Sequence, residues 1–289
     1  MSSSPLAIPL TRDQATRLAD AVMEREDLAL TASAYEDQDT REWVFEATTQ
    51  MLPDLLAFEQ LARDVLGGEV GFTIAPIDPE VNWVAKSLEG LKPVVAGGVY
   101  VYGTHDAAAR PAGLIPIRID AAQAFGTGHH ETTTGCLELI AGVIRRRRPR
   151  KMLDVGTGTG ILAIALAIKT HRRVIASDID PVATRTAAQN ARDNGVGPLV
   201  RTITATGLAH PAITANGRYD LIVANILAGP LVGIAPVVAR AAQRHGTIIL
   251  SGLLVSQAPR IVTAYARQGV ILRRKLVRGD WATLLLEKA

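Results

Sequence analysis

The stretch KMLDVGTGTGILAIALAIKTHRRVIASDID, residues 151–180, decides the fold of this chain. Two apolar segments flank three glycines at every second position, Gly156, Gly158 and Gly160, and the second segment stops at Asp178. A glycine turn that follows a strand and opens a helix lets the backbone approach a ligand closely and directs the helix N-terminus at it. The pattern therefore predicts a strand, a ligand-binding loop, a helix and a second strand.

The spacing of these glycines narrows the class of ligand. A phosphate-binding loop of nucleoside triphosphatases ends in Gly-Lys-Ser or Gly-Lys-Thr, and that ending is absent from this stretch. A dinucleotide fingerprint has the spacing G-x-G-x-x-G, whereas this chain has G-x-G-x-G, with Asp154 two residues before the first glycine. At the end of the next predicted strand, the Asp178 carboxylate can hydrogen-bond both hydroxyls of a ribose. Taken alone, the glycines are also compatible with tight packing of strand against helix, and Asp178 with a loop cap.

From Lys151 onward, predicted strands and helices alternate strictly, which is typical of an α/β protein with a doubly wound parallel sheet. The predicted strands are 151–156, 173–178, 200–205, 219–225 and 246–251. The last two segments, residues 270–280 and 281–288, follow one another through a short turn with no helix between them. We therefore expect a seven-stranded sheet that finishes with an antiparallel hairpin.

The residues before this region have a different pattern. Between Leu6 and Ile77, short extended segments and amphipathic helices interleave in the order βαββαβ, which is the pattern of a small ferredoxin-like α+β domain. A segment rich in proline and glycine follows and leads into a predicted strand hairpin. The sequence therefore predicts a ferredoxin-like domain at 1–78, a linker and hinge at 79–113, and the doubly wound domain at 114–289.

Composition places the chain among ordinary soluble globular proteins. Its 289 residues exceed the length of a typical single domain, 48% of them are hydrophobic and 20% are charged. The single cysteine, Cys136, cannot form an internal disulfide, which fits a reducing compartment, and within a predicted helix we expect it to be a buried small hydrophobe. No segment approaches the length of a membrane span. We therefore expect a cytoplasmic protein.

The charge of the chain says little about its binding partners. The net charge is +3, so that general affinity for nucleic acid is only weakly suggested. The one basic run, RRRRPRK at residues 145–151, lies between a predicted helix and a predicted strand. Two interpretations stay open, a solvated connection and a contact with an acidic or nucleic-acid partner.

Another polar residue ends a predicted strand. Asn225, in YDLIVANILAGPL at 219–231, ends the fourth strand of the predicted sheet, where ligands bind in such sheets. Its side-chain carbonyl can accept a hydrogen bond from a substrate amine, although a turn-forming asparagine is the alternative. The HHE sequence at 129–131 does not indicate a metal site, because adjacent side chains diverge and no third histidine or cysteine has ligand spacing.

Several segments resemble those of methyltransferases that use S-adenosylmethionine. The D-x-G-x-G-x-G sequence resembles motif I of their Rossmann-like class, and the segment around Asn225 resembles the Asn-Pro-Pro-Tyr-type motif IV of amine and amide methyltransferases. QAFGTGHHETTTGCLELI at 123–140 resembles the A-F-G-T-G-T-H-x-T-T signature of the ribosomal protein L11 methyltransferases, PrmA. The segments NILAGPL, SGLLVSQAPRIVTAY and WATLLLEK are similar to the same family, as are the N-terminal βαββαβ order and the segment VNWVAKSLEGLKPV that follows it. The resemblance therefore covers nearly the whole chain.

The chain departs from the family pattern around this signature. His129 stands where many members have threonine, Glu131 where they have proline, and Asp120-Ala-Ala where they have Asp-Pro-Gly. These departures concern the conformation of the loop rather than the fold.

The resemblance implies a binding site for S-adenosylmethionine in a Rossmann-like domain. Thr133 matches a family threonine that touches the cofactor, with a helix cap as the alternative role. Gly156 matches the glycine that approaches the methionine part, Gly158 belongs to the same loop, and Asp178 matches the ribose ligand. Asn225 matches the catalytic residue at the meeting point of cofactor and substrate.

The resemblance further implies a protein methyltransferase that acts on lysine and N-terminal amines of ribosomal protein L11. A neutral amine attacks the methyl carbon while the carbon–sulfur bond breaks, so that no metal and no covalent enzyme intermediate are required. The enzyme has to desolvate and align the reactants, and the loop Phe125–His130 is expected to cover the methyl donor. The N-terminal domain is expected to hold the protein substrate. We expect a monomer that needs neither nucleic acid nor a membrane.

Other functions remain open. A lysine methyltransferase of the electron-transfer-flavoprotein β subunit has a similar catalytic domain, but the N-terminal domain argues against this alternative. A noncatalytic cofactor-binding or ribosome-assembly protein would not need both Asp178 and Asn225. A ribosomal RNA methyltransferase would have a basic groove with stacking aromatic residues, and aromatic residues make up only 4% of the chain.

Overall fold

The computed structural model of the chain describes residues 3–23, 25, 28–29, 31–36, 41–49, 53–76, 93–103, 111–119, 130–215 and 217–289. The chain forms two units, Met1–Asn82 and Trp83–Ala289. Each unit has its own sheet and its own hydrophobic core.

The first unit has the predicted βαββαβ order. It consists of β1 (Ser3–Leu10), α1 (Arg12–Met23), β2 (Thr31–Glu36), β3 (Trp43–Thr48), α2 (Leu55–Leu66) and β4 (Thr73–Pro76). The strands form an antiparallel sheet in the order β2-β3-β1-β4. Both helices begin at side-chain caps, because Thr11 and Gln14 accept from each other's backbone N–H groups and Asp54 accepts from the N–H of Ala57.

The core of the first unit is built from both helices and the sheet. Leu18 and Val22 of α1, Phe58 of α2 and Phe45 of β3 are buried. The ring of Phe72 contacts the rings of Phe45 and Phe58 at centroid distances of 5.9 and 5.7 Å. The unit therefore has the hydrophobic core that an independently folding domain needs.

The second unit contains the predicted doubly wound sheet. Its elements are β5 (Val94–Ala96), β6 (Val99–Tyr102), β7 (Ile115–Arg118), α3 (His130–Arg147), β8 (Met152–Val155), α4 (Ile161–Thr170), β9 (Val174–Asp178), α5 (Pro181–Asp193), β10 (Val200–Thr204), α6 (Pro211–Thr214), β11 (Tyr219–Asn225), α7 (Ala228–Gly233), α8 (Ala235–Ala241), β12 (Ala242–Leu254), α9 (Ala258–Ala266), β13 (Val270–Arg278) and β14 (Trp281–Lys288). Within the described ranges, none of these helices has the length and apolar character needed to cross a membrane.

The seven-stranded sheet has the order β10-β9-β8-β11-β12-β14-β13. Strands β8 to β12 are parallel, and β14 runs antiparallel between β12 and β13, which confirms the predicted terminal hairpin. From β8 in the middle of the sheet, the chain adds β9 and β10 toward one edge. It then returns to the middle with β11 and adds the remaining strands toward the other edge. The carboxyl ends of β8 and β11 therefore flank the point where the strand order reverses, which is where ligands bind in such sheets.

Helices cover both faces of this sheet. Ile140 of α3 and Ile164 of α4 are buried on one face, and Leu231 of α7 and Ile261 of α9 on the other. Helix α3 approaches β14 closely, since a Cβ at Gly135 would lie 2.2 Å from the Thr283 hydroxyl oxygen. The glycine therefore lets the first turns of α3 lie directly on the sheet.

Within the predicted linker at 79–113, residues 93–103 contain two strands, β5 and β6, instead of an extended connection. Strands β5 and β6 form a small sheet with β7, in the order β5-β6-β7. Val94 and Val99 of this sheet are buried in the same core as α3, so these strands are part of the second unit. Residues 77–92 and 104–110 lie outside the described residues, and the hinge hypothesis there stays a prediction.

Candidate functional site

The loop between β8 and α4 is held by hydrogen bonds on two sides. Asp154, near the end of β8, is buried, and its Oδ2 accepts from the Thr157 hydroxyl at 2.7 Å and from the Ala163 N–H at 3.1 Å. The N–H groups of Gly156 and Thr157 both donate to the Ser177 carbonyl of β9, at 2.8 and 3.0 Å. The loop is therefore fixed relative to the carboxyl ends of two adjacent strands.

Two glycines of this loop are required for different reasons. Gly156 has a φ of +68°, and a Cβ there would lie 2.2 Å from Cγ2 of Ile226, the residue after β11. Gly158 has a φ of +54°, but a Cβ there would meet no atom within 4 Å. At position 158 only the positive φ favours glycine. At position 156 the positive φ favours glycine and, in addition, the neighbouring Ile226 side chain leaves no room for a Cβ.

Asp178, at the end of β9, has a carboxylate whose orientation is fixed. Its Oδ2 accepts from the Gly158 N–H at 2.9 Å, and its Oδ1 accepts from the Asp180 N–H at 3.0 Å. Each carboxylate oxygen can accept more than one hydrogen bond, and the side chain is only partly buried. The two remaining acceptor positions are therefore available to hydroxyl groups of a ligand.

Asn225, at the end of β11, is held by two threonines of α3. Its Nδ2 lies 3.4 Å from the hydroxyl oxygens of both Thr132 and Thr133. Both threonines are buried, at 0% and 4% exposure. The Asn225 Oδ1 is also buried but has no hydrogen-bond partner among the described residues. Because buried polar atoms are almost always paired, an unpaired acceptor at a strand end indicates a site that a ligand completes.

These residues surround a cavity at the carboxyl ends of the parallel strands. Its volume is about 470 Å³, in the range of small-molecule sites. Its polar lining includes Asp178 and Asn225, and its apolar lining includes Ile179, Leu227 and Trp281. Ile179 and Leu227 are 69% and 46% exposed, which is unusual for large apolar side chains. The cavity thus combines an apolar wall with a few polar groups, the composition expected of a site for a small molecule or cofactor.

Burial changes the acid–base properties of two residues behind the cavity. It raises the pKa of Asp154 to about 7, although the hydrogen bonds from Thr157 and Ala163 lower it, and the charge of Asp178 raises it further. Burial also raises the pKa of the Cys136 thiol to about 12. Cys136 is fully buried, as the sequence predicts, and is therefore neither accessible nor ionised as a nucleophile would need to be.

The structure brings together the residues that the sequence singles out, but not all in the same role. Gly156, Asp178 and Asn225 line the cavity. Gly158 and Thr133 do not line it and instead bond to Asp178 and Asn225. The loop Phe125–His130 lies outside the described residues, except for the backbone of His130, so its proposed covering role and the HHE sequence stay untested.

Sequence reasoning assigned no role to several residues of the site. These residues are Asp154, Thr132, Ile179, Leu227 and Trp281. Asp154 is part of the glycine motif, which was a usable signal, and Thr132 is adjacent to Thr133. Ile179 and Leu227 come one and two residues after a strand that ends in a polar residue, and an apolar side chain at such a position is a signal for a ligand-facing wall.

Comparison with known proteins identifies the family. The family model of the ribosomal protein L11 methyltransferases (PrmA) matches residues 10–289. Proteins named ribosomal protein L11 methyltransferase are 45% identical in Mesorhizobium japonicum, over 87% of this chain and 86% of the relative, and 43% identical in Rhizobium meliloti, over 100% of both. The crystal structure of a ribosomal protein L11 methylase from Lactobacillus delbrueckii subsp. bulgaricus has a TM-score of 0.58 and 30% identity, covering 66% of this chain and 94% of that one. This chain therefore belongs to the ribosomal protein L11 methyltransferase (PrmA) family.

Proposed function

We propose that this chain transfers methyl groups from S-adenosylmethionine to lysine and N-terminal amines of ribosomal protein L11. The observation that carries the proposal is the unpaired Oδ1 of Asn225 beside a cavity that Gly156 and Asp178 also line. An acceptor at this point suits an amine donor, and the names of the relatives supply the protein that carries the amine. The chain is expected to act as a monomer in the cytoplasm and to need no nucleic acid for catalysis.

The residues present fit the cofactor. S-adenosylmethionine supplies, when bound, a methyl group already activated by a positively charged sulfur. The Asp178 carboxylate has free acceptor positions for two ribose hydroxyls, and the apolar side chains of Ile179 and Leu227 offer a wall for a flat base. The absence of a side chain at Gly156 leaves the loop backbone open to close approach.

Asn225 is proposed to orient the attacking amine. The hydroxyl groups of Thr132 and Thr133 engage Nδ2, which leaves the carbonyl oxygen as the free end of the amide. A hydrogen bond from the amine to this oxygen aims the nitrogen lone pair at the methyl carbon. Asn225 thus acts on the substrate by alignment, whereas the two threonines are positioning residues.

The amine has to be uncharged when it attacks. A lysine with a pKa of about 10.4 is mostly protonated at neutral pH, whereas an α-amine at about 7.7–8.0 is not. An amide oxygen such as that of Asn225 accepts a hydrogen bond but is too weak a base to hold a proton. We therefore expect the proton to leave through water and N-terminal amines to react more readily than lysine.

The alternative substrate is not favoured. A lysine methyltransferase of the electron-transfer-flavoprotein β subunit would need only a catalytic domain. The family model matches residues 10–289, which include most of the first unit as well. This match supports a role for the first unit in holding the protein substrate.

The proposal is tested in cells that lack the gene. Mass spectrometry of their ribosomal proteins should show ribosomal protein L11 without methyl groups, and wild-type protein should restore them. The Asn225→Ala variant should not restore them at equal expression. Full methylation in the deleted strain would assign this chain a different substrate.

A further inference from the structure

Three adjacent strands, β11, β12 and β14, carry a row of polar side chains beneath helix α3. Asn225 of β11 is the register partner of Ser251 of β12. Thr283 of β14 continues the row, because the hydroxyl oxygens of Ser251 and Thr283 lie 2.8 Å apart. Both residues are buried, at 0% and 3% exposure, and we call them the hydroxyl pair. The proposed function assigns the pair no role, although Ser251 lies directly beside Asn225 in the sheet.

Helix α3 lies on the hydroxyl pair at two consecutive residues. A Cβ at Gly135 would lie 2.2 Å from the Thr283 hydroxyl oxygen and 3.0 Å from the Thr283 Cβ, so the helix backbone touches this side chain. The Cys136 thiol is fully buried and makes a hydrogen bond with the side chain of Ser251. The pair therefore determines how closely the first two turns of α3 approach the sheet.

The same segment of α3 holds Asn225. Thr132 lies one turn before Cys136, and residues four apart lie on the same face of a helix. The hydroxyl oxygens of Thr132 and Thr133 each lie 3.4 Å from the Nδ2 of Asn225. These distances are at the long end of the hydrogen-bond range, so a small shift of α3 would strengthen or break both contacts. The position of α3 on the pair thus influences the direction of the Asn225 amide.

A β-bulge beside the pair holds the backbone around Asn225. Two residues of β12, Ser251 and Gly252, lie opposite one residue of β14, Thr283. A Cβ at Gly252 would lie 2.4 Å from the carbonyl oxygen of Ile226, the residue after Asn225, and the Ile226 N–H donates to the Ser251 carbonyl at 3.2 Å. Bulges are common next to active sites, where they re-aim a side chain. The backbone is therefore held by β12, and the amide is held by α3.

Stability alone does not require hydroxyl groups at this depth. Replacing both members of a buried hydrogen-bonded pair by apolar groups of the same shape can be nearly neutral or stabilising. Apolar neighbours are present, since Ile140 of α3 and Ile249 of β12 are buried in the same core. Hydrogen bonds differ from apolar contacts because they fix a distance and a direction. The pair is therefore suited to hold α3 at one height above the strands.

We propose that Ser251 and Thr283 are positioning residues for methyl transfer, which hold α3 where its threonines orient the Asn225 amide toward the substrate amine. Neither residue of the pair lines the cavity, so we expect neither to touch the cofactor. Their effect should appear in the rate of transfer and not in cofactor affinity, because a misdirected acceptor loses alignment in the transition state. The inference rests on the proposed function, since it concerns the same reaction.

The test compares Thr283→Val, which removes the hydroxyl at nearly equal volume, with Thr283→Ser, which keeps it. The full chain is assayed by single-turnover methylation of ribosomal protein L11 and by calorimetric titration of S-adenosylmethionine. Thr283→Val should lower the rate roughly 5- to 30-fold with cofactor affinity within about twofold of the wild type, and Thr283→Ser should recover most of the rate. Thr247→Val is the control and should react like the wild type, because Thr247 is also buried in β12 but lies opposite Leu221 instead of Asn225.

A double variant separates positioning from a general loss of structure. If the pair acts through Asn225, Thr283→Val should lower the rate little further in the Asn225→Ala background, because the group that it positions is gone. Losses that multiply in the double variant, a wild-type rate in Thr283→Val, or equal losses in Thr283→Val and Thr247→Val would overturn the inference. If Thr283→Val does not fold, Ser251→Ala decides by the same measurements, because it leaves the Thr283 side chain against Gly135.

A spectroscopic measurement tests the inference independently of activity. The side-chain NH₂ signals of Asn225 are identified in the NMR spectrum by their loss in Asn225→Ala. They should shift in Thr283→Val and stay near their wild-type positions in Thr283→Ser and Thr247→Val. Unshifted signals in Thr283→Val would overturn the inference. Absence of methylation by the wild type, together with the expected shifts, would instead contradict the proposed function alone.

Discussion

At the scale of single residues, the site consists of side chains that are held by protein groups on one side and have free acceptor atoms on the other. Asp178 is held by two backbone N–H groups, and Asn225 by two threonine hydroxyls. Asp154 differs, because its Oδ1 is buried and unpaired behind the loop, within the part of the chain that the structure describes. Each of the three residues therefore yields a separate prediction.

Replacing Asp178 by alanine should weaken binding of S-adenosylmethionine by roughly 1.5–3 kcal/mol, because charge-assisted hydrogen bonds to the ribose are lost. Titration calorimetry measures this change. Asp180→Ala is the control, since the Asp180 side chain caps α5 through the Val182 N–H at 2.7 Å but does not line the cavity. An equal loss in both variants would mean that loop stability, and not a ribose contact, determines affinity.

Replacing Asn225 by alanine should lower turnover by roughly 10- to 1000-fold while leaving cofactor affinity nearly unchanged, because the amide acts on the amine in the transition state. Single-turnover methylation separates this effect from product release. Thr132→Val and Thr133→Val should each give a smaller loss, since the amide keeps its oxygen but loses part of its orientation. Wild-type rates in Asn225→Ala would remove this residue from the reaction.

The raised pKa of Asp154 predicts a pH dependence of stability. Its pKa is near 4 in the unfolded chain and about 7 in the folded one, so the folded state binds the extra proton between these values. The stabilisation of the folded state by this extra proton is complete below about pH 4. It is lost as the pH rises through 7, and the free energy of unfolding falls by up to about 1.4 kcal/mol per pH unit within this window. Urea unfolding of the wild type and Asp154→Asn should therefore diverge over this window, with the wild type losing more stability. If the free energies of unfolding of the two proteins change in parallel with pH, the pKa of Asp154 is not raised.

At the scale of elements, the loop between β8 and α4 lies where the carboxyl ends of three strands meet the start of a helix. Gly156 lies against Ile226, which follows β11, and the loop N–H groups bond the end of β9. The three strand ends β9, β8 and β11 are adjacent in the sheet. The loop therefore depends on the packing of elements that are distant in the sequence.

Alanine substitutions in this loop should separate steric from conformational effects. Gly156→Ala adds a methyl group 2.2 Å from Cγ2 of Ile226, whereas the methyl of Gly158→Ala enters open space at a similarly positive φ. Gly156→Ala should thus lower the melting temperature and cofactor affinity more than Gly158→Ala. The double variant Gly156→Ala/Ile226→Ala should recover part of the difference, because it removes the clashing carbon. Calorimetric melting and titration check this order, and equal effects of the two single variants would refute it.

At the scale of the whole molecule, the two units each have a core of their own, and strands β5 and β6 belong to the second. This assignment bears on where the chain can be cut. A cut at 114, the predicted start of the methyltransferase domain, would remove buried residues such as Val94 and Val99 from the core around α3.

A chain that starts near Pro79 should therefore fold and bind S-adenosylmethionine, but methylate ribosomal protein L11 poorly through lost substrate affinity. A chain that starts at 114 should be strongly destabilised, since several buried side chains lose their partners. Circular dichroism melting and cofactor titration compare the two. If the chain that starts at 114 is as stable as the chain that starts near Pro79, the small sheet β5-β6-β7 does not stabilise the second unit. If the chain that starts near Pro79 methylates ribosomal protein L11 as fast as the full chain at low substrate concentration, the first unit is not a recognition domain.

The sequence by itself determined the order of the elements, the parallel sheet, the glycine loop and the strand-end positions of Asp178 and Asn225. These features follow from local patterns, since strand and helix periodicity and the turn glycines each span a few residues.

Only the tertiary structure decided which distant groups meet. It pairs Asn225 with the threonines of α3, buries the Asp154 carboxylate and so raises its pKa, and places β5 and β6 in the second core. The physical reason is the same in each case. Adjacent parallel strands bring residues that are far apart in the sequence to the same end of the sheet, and no local pattern records which of them become neighbours.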